Sequence, residues 1–340
     1  MPISRSTTGD ASPDVPPEPS GSPGPLALRA QGSFFVGGRD VRSDNLSAVP
    51  AYAPSGTISV DQVYVRYQVP AGPEGAPPVV LVHGCCLTGK TWETTPDGRM
   101  GWDELFLRRG HPVYVIDQAW RGRSAASPVA LNAVKAGGGP LDRLPTVFSA
   151  GREDAWTVFR FGPAYPEAFP GMLFPIDAQA ELWKSMVPDW FYDLPTPNPT
   201  VPALSALAAR LGGAVLVSHS QAGIYPFQAA EAARAGLAAL VALEPAALPA
   251  PDDDMTPFAG LPILIVFGDY VEASPRWAPR LALARAFVAA ANAAGARADL
   301  MVLPELGIRG NSHMLMQDRN SHAIAGLVAD WIARSVPNGA

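Results

Sequence analysis

Ala214-Val-Leu-Val-Ser-His-Ser-Gln-Ala-Gly223 runs from an unbroken apolar stretch straight into small residues, and an Ala-rich helical segment, 221–235, follows and closes at Gly236. Short apolar runs that do not alternate with polar residues suit strands covered on both faces, as in a parallel sheet. A serine at such a strand-to-helix junction sits on a tight turn that presents its hydroxyl and tolerates only small neighbours. Ser218 stands two residues before Ser220, where glycine is usual; Ala222 stands two after and Gly223 three after. All are small enough for the turn. A plain junction with a capping serine gives the same local pattern, so Ser220 as a nucleophile needs support from the rest of the chain.

Similar apolar runs recur at 79–82, 113–116, 240–243, 263–267 and 298–303, with helical stretches at 102–109, 276–294 and 320–335. Gly110 and Gly295 stop two of these helices, and Asn320 or Ser321 is placed to cap the last. Residues 57–69 alternate polar and apolar side chains, as a half-buried antiparallel strand or hairpin does. The β-α alternation predicts an α/β fold with a mostly parallel central sheet and helices on both faces.

One interval, 118–213, departs from this pattern ahead of 214: it is crowded with proline and with aromatics such as Trp156, Phe159, Phe161, Trp183, Trp190, Phe191 and Tyr192. A structureless loop of that length is foreign to a compact domain. Residues 125–204 therefore read as a cap inserted into a core made of 32–124 and 205–340, its aromatics filling its own interior, roofing a site, or both. Residues 1–31, rich in Pro, Ser and Gly, read as a flexible tail without an apolar signal-peptide core.

With 340 residues, 48% hydrophobic and 16% charged, the chain has the composition of a soluble globular protein longer than one minimal domain. A formal net charge of -6 argues against nucleic acid or an anionic membrane as the main partner. No apolar run reaches the roughly 18 residues of a membrane-spanning helix. Asp252-Asp-Asp254 lies in a Pro-rich loop and reads as solvated; with no metal constellation and no phosphate-cradling glycine loop, neither metal nor cofactor is expected.

Pro77-Pro-Val-Val-Leu-Val-His-Gly-Cys-Cys86 places His83-Gly84 directly after an early strand. In α/β-hydrolases that turn gives one backbone N–H to the oxyanion hole and the residue after the nucleophile gives the other, which designates Cys85 and Gln221. Asp117, Arg121-Gly122 and Ser124 follow the next strand, in the order that fold uses. Of five histidines, His83 belongs to the turn, His111 precedes a strand, His219 flanks the serine and should point away, and His322 opens the last helix. His313, in Gly310-Asn-Ser-His-Met-Leu-Met, lies between the last strand and the last helix, where the base of a Ser…acid…His order belongs. For the acid, Asp269 after the penultimate strand and Glu244 after the strand that follows the nucleophile helix both qualify, with Glu272 a third candidate.

Beyond these motifs, the chain closely resembles a group of bacterial α/β-hydrolase esterases that carry His-Gly-Cys-Cys after the early strand. The matching stretches are Gly32-Ser-Phe-Phe-Val-Gly-Gly38, His83-Gly-Cys-Cys-Leu-Thr-Gly89, Thr91-Trp-Glu-Thr-Thr-Pro-Asp-Gly-Arg-Met-Gly-Trp102, Phe159-Arg-Phe-Gly-Pro163, Pro195-Thr-Pro-Asn-Pro-Thr200, Ser218-His-Ser-Gln-Ala-Gly-Ile-Tyr-Pro-Phe227 and Gly310-Asn-Ser-His-Met314. The resemblance implies a Ser220–His313–Glu244 triad, a disulfide between Cys85 and Cys86, a cap over the site, a homodimer and a small-molecule ester substrate. Such a disulfide would in turn imply an oxidising compartment, periplasmic or outside the cell. The aromatic cap suggests apolar or aryl esters of small to medium size. Cleavage of amides, lactones or thioesters uses the same acyl-transfer machinery, and a catalytically silent domain of this fold that binds a ligand is the reading from another class.

Overall fold

Val79–Val82, Ala214–His219 and Pro262–Phe267 are buried at every position. In the computed structural model, which describes residues 24–190 and 198–336, they become inner strands of one sheet. Its strands are β1 (Leu28–Ser43), β2 (Gly56–Pro70), β3 (Val79–Val82), β4 (Val113–Asp117), β5 (Ala214–His219), β6 (Leu237–Leu243), β7 (Pro262–Phe267) and β8 (Arg297–Val302). They lie in the order β1-β2-β4-β3-β5-β6-β7-β8. From β4 to β8 all neighbours are parallel, while β1–β2 and β2–β4 are antiparallel.

The helices are α1 (Trp102–Arg108), α2 (Val129–Lys135), α3 (Arg152–Val158), α4 (Gln179–Ser185), α5 (Thr200–Leu211), α6 (Tyr225–Ala232), α7 (Ala278–Ala293) and α8 (Ser321–Ser335). Successive strand residues serve opposite faces. Val80, Val82, Leu216, Leu240 and Ile263 pack with Leu204, Leu207, Phe227 and Phe287 of α5, α6 and α7. Val79, Leu81, Val217, Val241 and Leu264 pack with Leu105, Phe106, Val328 and Ile332 of α1 and α8. Each such side chain contributes roughly 1.5–3 kcal/mol by leaving water, so a run apolar at every position is what two covered faces demand.

Three expectations are corrected. The strand β1 was not anticipated, and it starts at Leu28, inside the stretch assigned to the tail; residues 1–23 lie outside the described residues. As an edge strand it exposes most of its side chains, and its pairing with β2 depends on main-chain hydrogen bonds that leave little apolar pattern. The helix expected over 221–235 is split: a 3-10 turn covers Ser220–Ile224, and α6 starts at Tyr225 with Pro226 in its first turn and ends at Ala232. Asn320 occupies the N-cap of α8 without bonding its backbone, because its side chain pairs with that of Asn311.

Between β4 and β5 the chain forms α2 to α5. The expected boundary at 204/205 falls inside α5, which packs against β1, β2 and α6. Trp156, Phe161 and Phe174 are fully buried; Trp156 meets Phe161 edge to face at 5.4 Å between ring centroids and Phe161 stacks on Phe174 at 4.1 Å, all in the apolar cluster that holds the sheet residues facing α1 and α8. Phe191, Tyr192 and the stretch from Pro195 to Pro197 lie outside the described residues.

Candidate active site

Ser220 opens the turn after β5 with φ +55°, a left-handed conformation that side chains other than glycine adopt only at a cost of about 1–3 kcal/mol. Its surroundings account for the small residues. A Cβ at Gly84 would lie 2.8 Å from the Ser220 Cβ, and one at Gly223 would lie 2.6 Å from the Cβ of Pro245. Glycine is therefore needed three residues after the serine, where Pro245 crosses, while Ala222 points into the core. Ser218 is buried, its hydroxyl 3.4 Å from the Val241 carbonyl.

Glu244 follows β6 with φ +51° and is completely buried. One oxygen accepts from Gly268 N at 2.5 Å and from Arg160 Nη2 at 2.6 Å; the other accepts from Arg160 Nη1 at 2.7 Å and lies 3.3 Å from His313 Nδ1. Burial pushes this carboxyl up, but the adjacent charge and hydrogen bonds of Arg160, together with His313, outweigh it and bring it down to about 2. Thus Glu244 is an anion at any ordinary pH, and its contact with Nδ1 assigns the proton to that nitrogen.

The His313 imidazole is also fully buried, 4.2 Å from the Trp277 ring by centroids and 6.0 Å from Phe159. Burial lowers its pKa to about 4, against the upward pull of Glu244. Nε2 makes no hydrogen bond among the described residues, so the contact to the Ser220 hydroxyl is not closed in this structure. Catalytic hydrogen bonds are often open before substrate binds.

Behind His313, His219 Nε2–H donates to the His313 carbonyl at 2.9 Å, so His219 points away from the serine and braces the base. Asp318 braces the same loop from below, accepting from Ser312 Oγ at 2.6 Å, Ser312 N at 2.8 Å and Asn311 Nδ2 at 3.0 Å, and its burial raises it to about 7. The rival acids are elsewhere. Asp269 accepts from Gly310 N at 2.8 Å and Tyr270 N at 2.8 Å, and Glu272 is exposed.

After β3, His83 Nδ1–H donates to the Gly84 carbonyl at 2.8 Å and Nε2 accepts from Gln118 N at 3.0 Å, so it holds the turn and, pushed by burial to about 4, stays neutral. Asp117 ties that turn to its neighbour, accepting from Gly89 N at 2.7 Å and Arg123 N at 2.9 Å. His111 bonds the Pro77 carbonyl and His322 is exposed. Cys85 N–H has no acceptor among the described residues, and Gln221 N–H heads its 3-10 turn, where the first amides lack intrahelical acceptors.

Cys85 and Cys86 are free thiols with Sγ atoms 2.7 Å apart, so the disulfide implied by resemblance, with a bond of about 2.05 Å, is not formed in this structure. The Cys86 thiol and burial push the Cys85 thiol above its usual range. Cys86 N donates to Asp189 at 3.1 Å; Asp189, buried, forms an ion pair with buried Arg121. Cys85, Cys86 and Asp189 also bring donor atoms within 4.8 Å of one another, a potential soft-metal set, although Asp189 is committed to Arg121, Cys86 and Gln221.

Arg160 and Asp189 are the residues that sequence reasoning missed. Their only local signal was a charge among aromatic and apolar neighbours, which demands a distant partner.

A cavity of about 420 Å³ opens over Ser220, its lining including Cys85, Cys86, Phe159 and Trp277. Comparison with known proteins adds a close likeness. A solved structure described as a novel bacterial esterase superposes with a TM-score of 0.90 and is 59% identical, covering 92% of this chain and 98% of that one. A fungal protein described as the probable secreted lipase phiG is 28% identical over 91% of this chain and 95% of its own length. No family profile matches.

Proposed function

This chain belongs to the α/β-hydrolase esterases and hydrolyses carboxylic esters through an acyl-enzyme, and on that premise we propose that Ser220, His313 and Glu244 are its catalytic triad. The observation that carries this reading is the pairing of His313 Nδ1 with Glu244 behind a serine held in a left-handed turn. Ser220 Oγ attacks the ester carbonyl while His313 Nε2 takes its proton; His313 returns that proton to the departing alcohol, and water repeats the sequence on the acyl-enzyme. Glu244 fixes the tautomer and stabilises the imidazolium. The N–H groups of Cys85 and Gln221 face the oxyanion, where one donor is worth about 3 kcal/mol.

The pH profile tests the base. His313 must be neutral to accept a proton, and burial holds it below the usual 6.5, near 4. On an aryl ester, kcat/KM should therefore be flat around neutrality and fall only as pH drops well below 6.5, with Glu244 ionised throughout. A midpoint at 7 or above would be inconsistent with a buried, neutral His313.

Gly84→Ala tests the oxyanion turn. Its new Cβ would meet Ser220 at 2.8 Å, and displacement of a donor by about 1 Å costs on the order of 100-fold in rate. We expect kcat to fall by that order; unchanged kcat would remove the turn from the mechanism.

We place the cap within residues 125–199, since α5 packs with the sheet; it supplies Arg160 to the acid and Asp189 to the turn. Small to medium apolar or aryl esters suit the cavity, and a homodimer is the proposed assembly. Closure of Cys85–Cys86 to a vicinal disulfide in oxidised protein is likewise proposed. Titration of unreduced, denatured enzyme should then find no thiol, and two would refute the closure.

A further inference from the structure

The wall of the cavity beside Trp277 carries two cations that form no ion pair among the described residues. Arg276 and Arg280, just before and within the first turn of α7, both line the space over Ser220. Arg280 Nε donates to the Ala246 carbonyl at 2.8 Å, and its Nη1 donates to the Arg276 carbonyl. Its guanidinium carbon sits 5.1 Å from the Trp277 ring centroid. Arg276 makes no side-chain hydrogen bond or ion pair among the described residues.

Other arginines of comparable burial are matched to carboxylates: Arg66 to Asp103, Arg99 to Asp97 and Arg108 to Glu104. Arg280 instead has a like charge, Arg276, as its neighbour, and burial together with Arg276 shifts it downward. The fixed partial positive charge at the start of the 16-residue α7 has the same sign. Asp154 is the one carboxylate in the lining among the described residues, and no ion pair joins it to either arginine.

Placement makes these charges relevant to substrate. Ala246, whose carbonyl holds Arg280, donates its N–H to the Ser220 carbonyl at 2.9 Å. The ring of Trp277 that carries Arg280 is the same one that flanks His313. A guanidinium fixed in this way presents its remaining N–H groups in the planar fork that matches a carboxylate.

Building on the esterase reading, we infer that the site takes esters bearing a second, anionic group, a carboxylate set a few bonds from the scissile carbonyl, which Arg280 and Arg276 hold. The acidic surface of the chain as a whole does not supply that anion, and the substrate does.

The test compares the monoethyl and diethyl esters of one short dicarboxylic acid, glutaric or adipic, at low salt. The ratio of kcat/KM, monoester over diester, should be on the order of 10 or more, arising mainly in KM, the value of one charge-assisted contact. It should shrink as salt is raised, because a half-exposed pair is screened. In Arg280→Gln and Arg276→Gln the ratio should fall toward one, with Arg280→Lys retaining part of it; since each variant is its own control, a general loss of folding leaves the ratio intact. A wild-type ratio at or below one, or a ratio unchanged in both Gln variants, overturns the inference while leaving the esterase reading standing. No turnover of either ester by a wild type that still cleaves an aryl ester would likewise overturn the inference and leave the esterase reading standing.

Discussion

Ser220→Ala should lower kcat on a chromogenic aryl ester by on the order of 10⁵-fold or more, with the fold retained. Removal of a triad nucleophile leaves only what substrate binding and the oxyanion donors contribute. Ser220 is the residue at the left-handed turn beneath the cavity, and its hydroxyl makes no hydrogen bond among the described residues. Alanine keeps the Cβ that already packs over Gly84, so the melting temperature should move little. Substantial residual activity in folded Ser220→Ala, after exclusion of contaminating hydrolase, would move the chemistry to another residue. Ser218 is the nearest alternative, but it is buried and directed at Val241.

Glu244→Gln has the second largest expected effect, and it acts on rate and stability together. The amide cannot hold the Nδ1–H tautomer or compensate the imidazolium, a loss on the order of 10³–10⁴ in kcat by the logic of triads. It also leaves the guanidinium of Arg160, now bonded through both nitrogens to Glu244, buried without its anion. Breaking a buried pair from one side costs about 3–5 kcal/mol, so a clear fall in melting temperature should accompany the fall in rate. Asp269→Asn is the comparison. Asp269 holds Gly310 and Tyr270 main-chain amides and no part of His313, so less than a 10-fold change is expected. A collapse in Asp269→Asn with near-normal Glu244→Gln would reverse the assignment.

The parts of the molecule that the sequence discloses are those whose physics is local. Val79–Val82 and Pro262–Phe267 need every residue apolar because both faces are covered, and that need is visible without coordinates. The edge strand Leu28–Ser43 has no such constraint on its exposed face, and glycines 32, 37 and 38 further blur its pattern. Ser220 and His313 stand out because a strand-to-turn junction and a loop position mark them. Glu244 and Asp269 could not be separated by local signal, since each follows a buried strand; resemblance favoured Glu244, and the geometry places it against His313.

The supporting charges were beyond reach. Arg160 meets Glu244 across 84 positions and Asp189 meets Cys86 across 103. Nothing in Phe159-Arg-Phe-Gly or Pro188-Asp-Trp says which partner answers the buried charge. His219 was expected only to avoid the serine, and its hydrogen bond to the His313 carbonyl gives that avoidance a purpose. The paired cysteines were legible as a motif, whereas the choice between two thiols and a disulfide is a matter of redox chemistry that adjacency alone does not decide.

Stoichiometric labelling with a fluorophosphonate, followed by peptide mapping, tests the proposed triad most directly. One adduct should form per chain, on Ser220, absent in Ser220→Ala and much slower in His313→Ala. An active enzyme that labels on a different serine, or not at all, would contradict the proposed nucleophile and the proton path built around it.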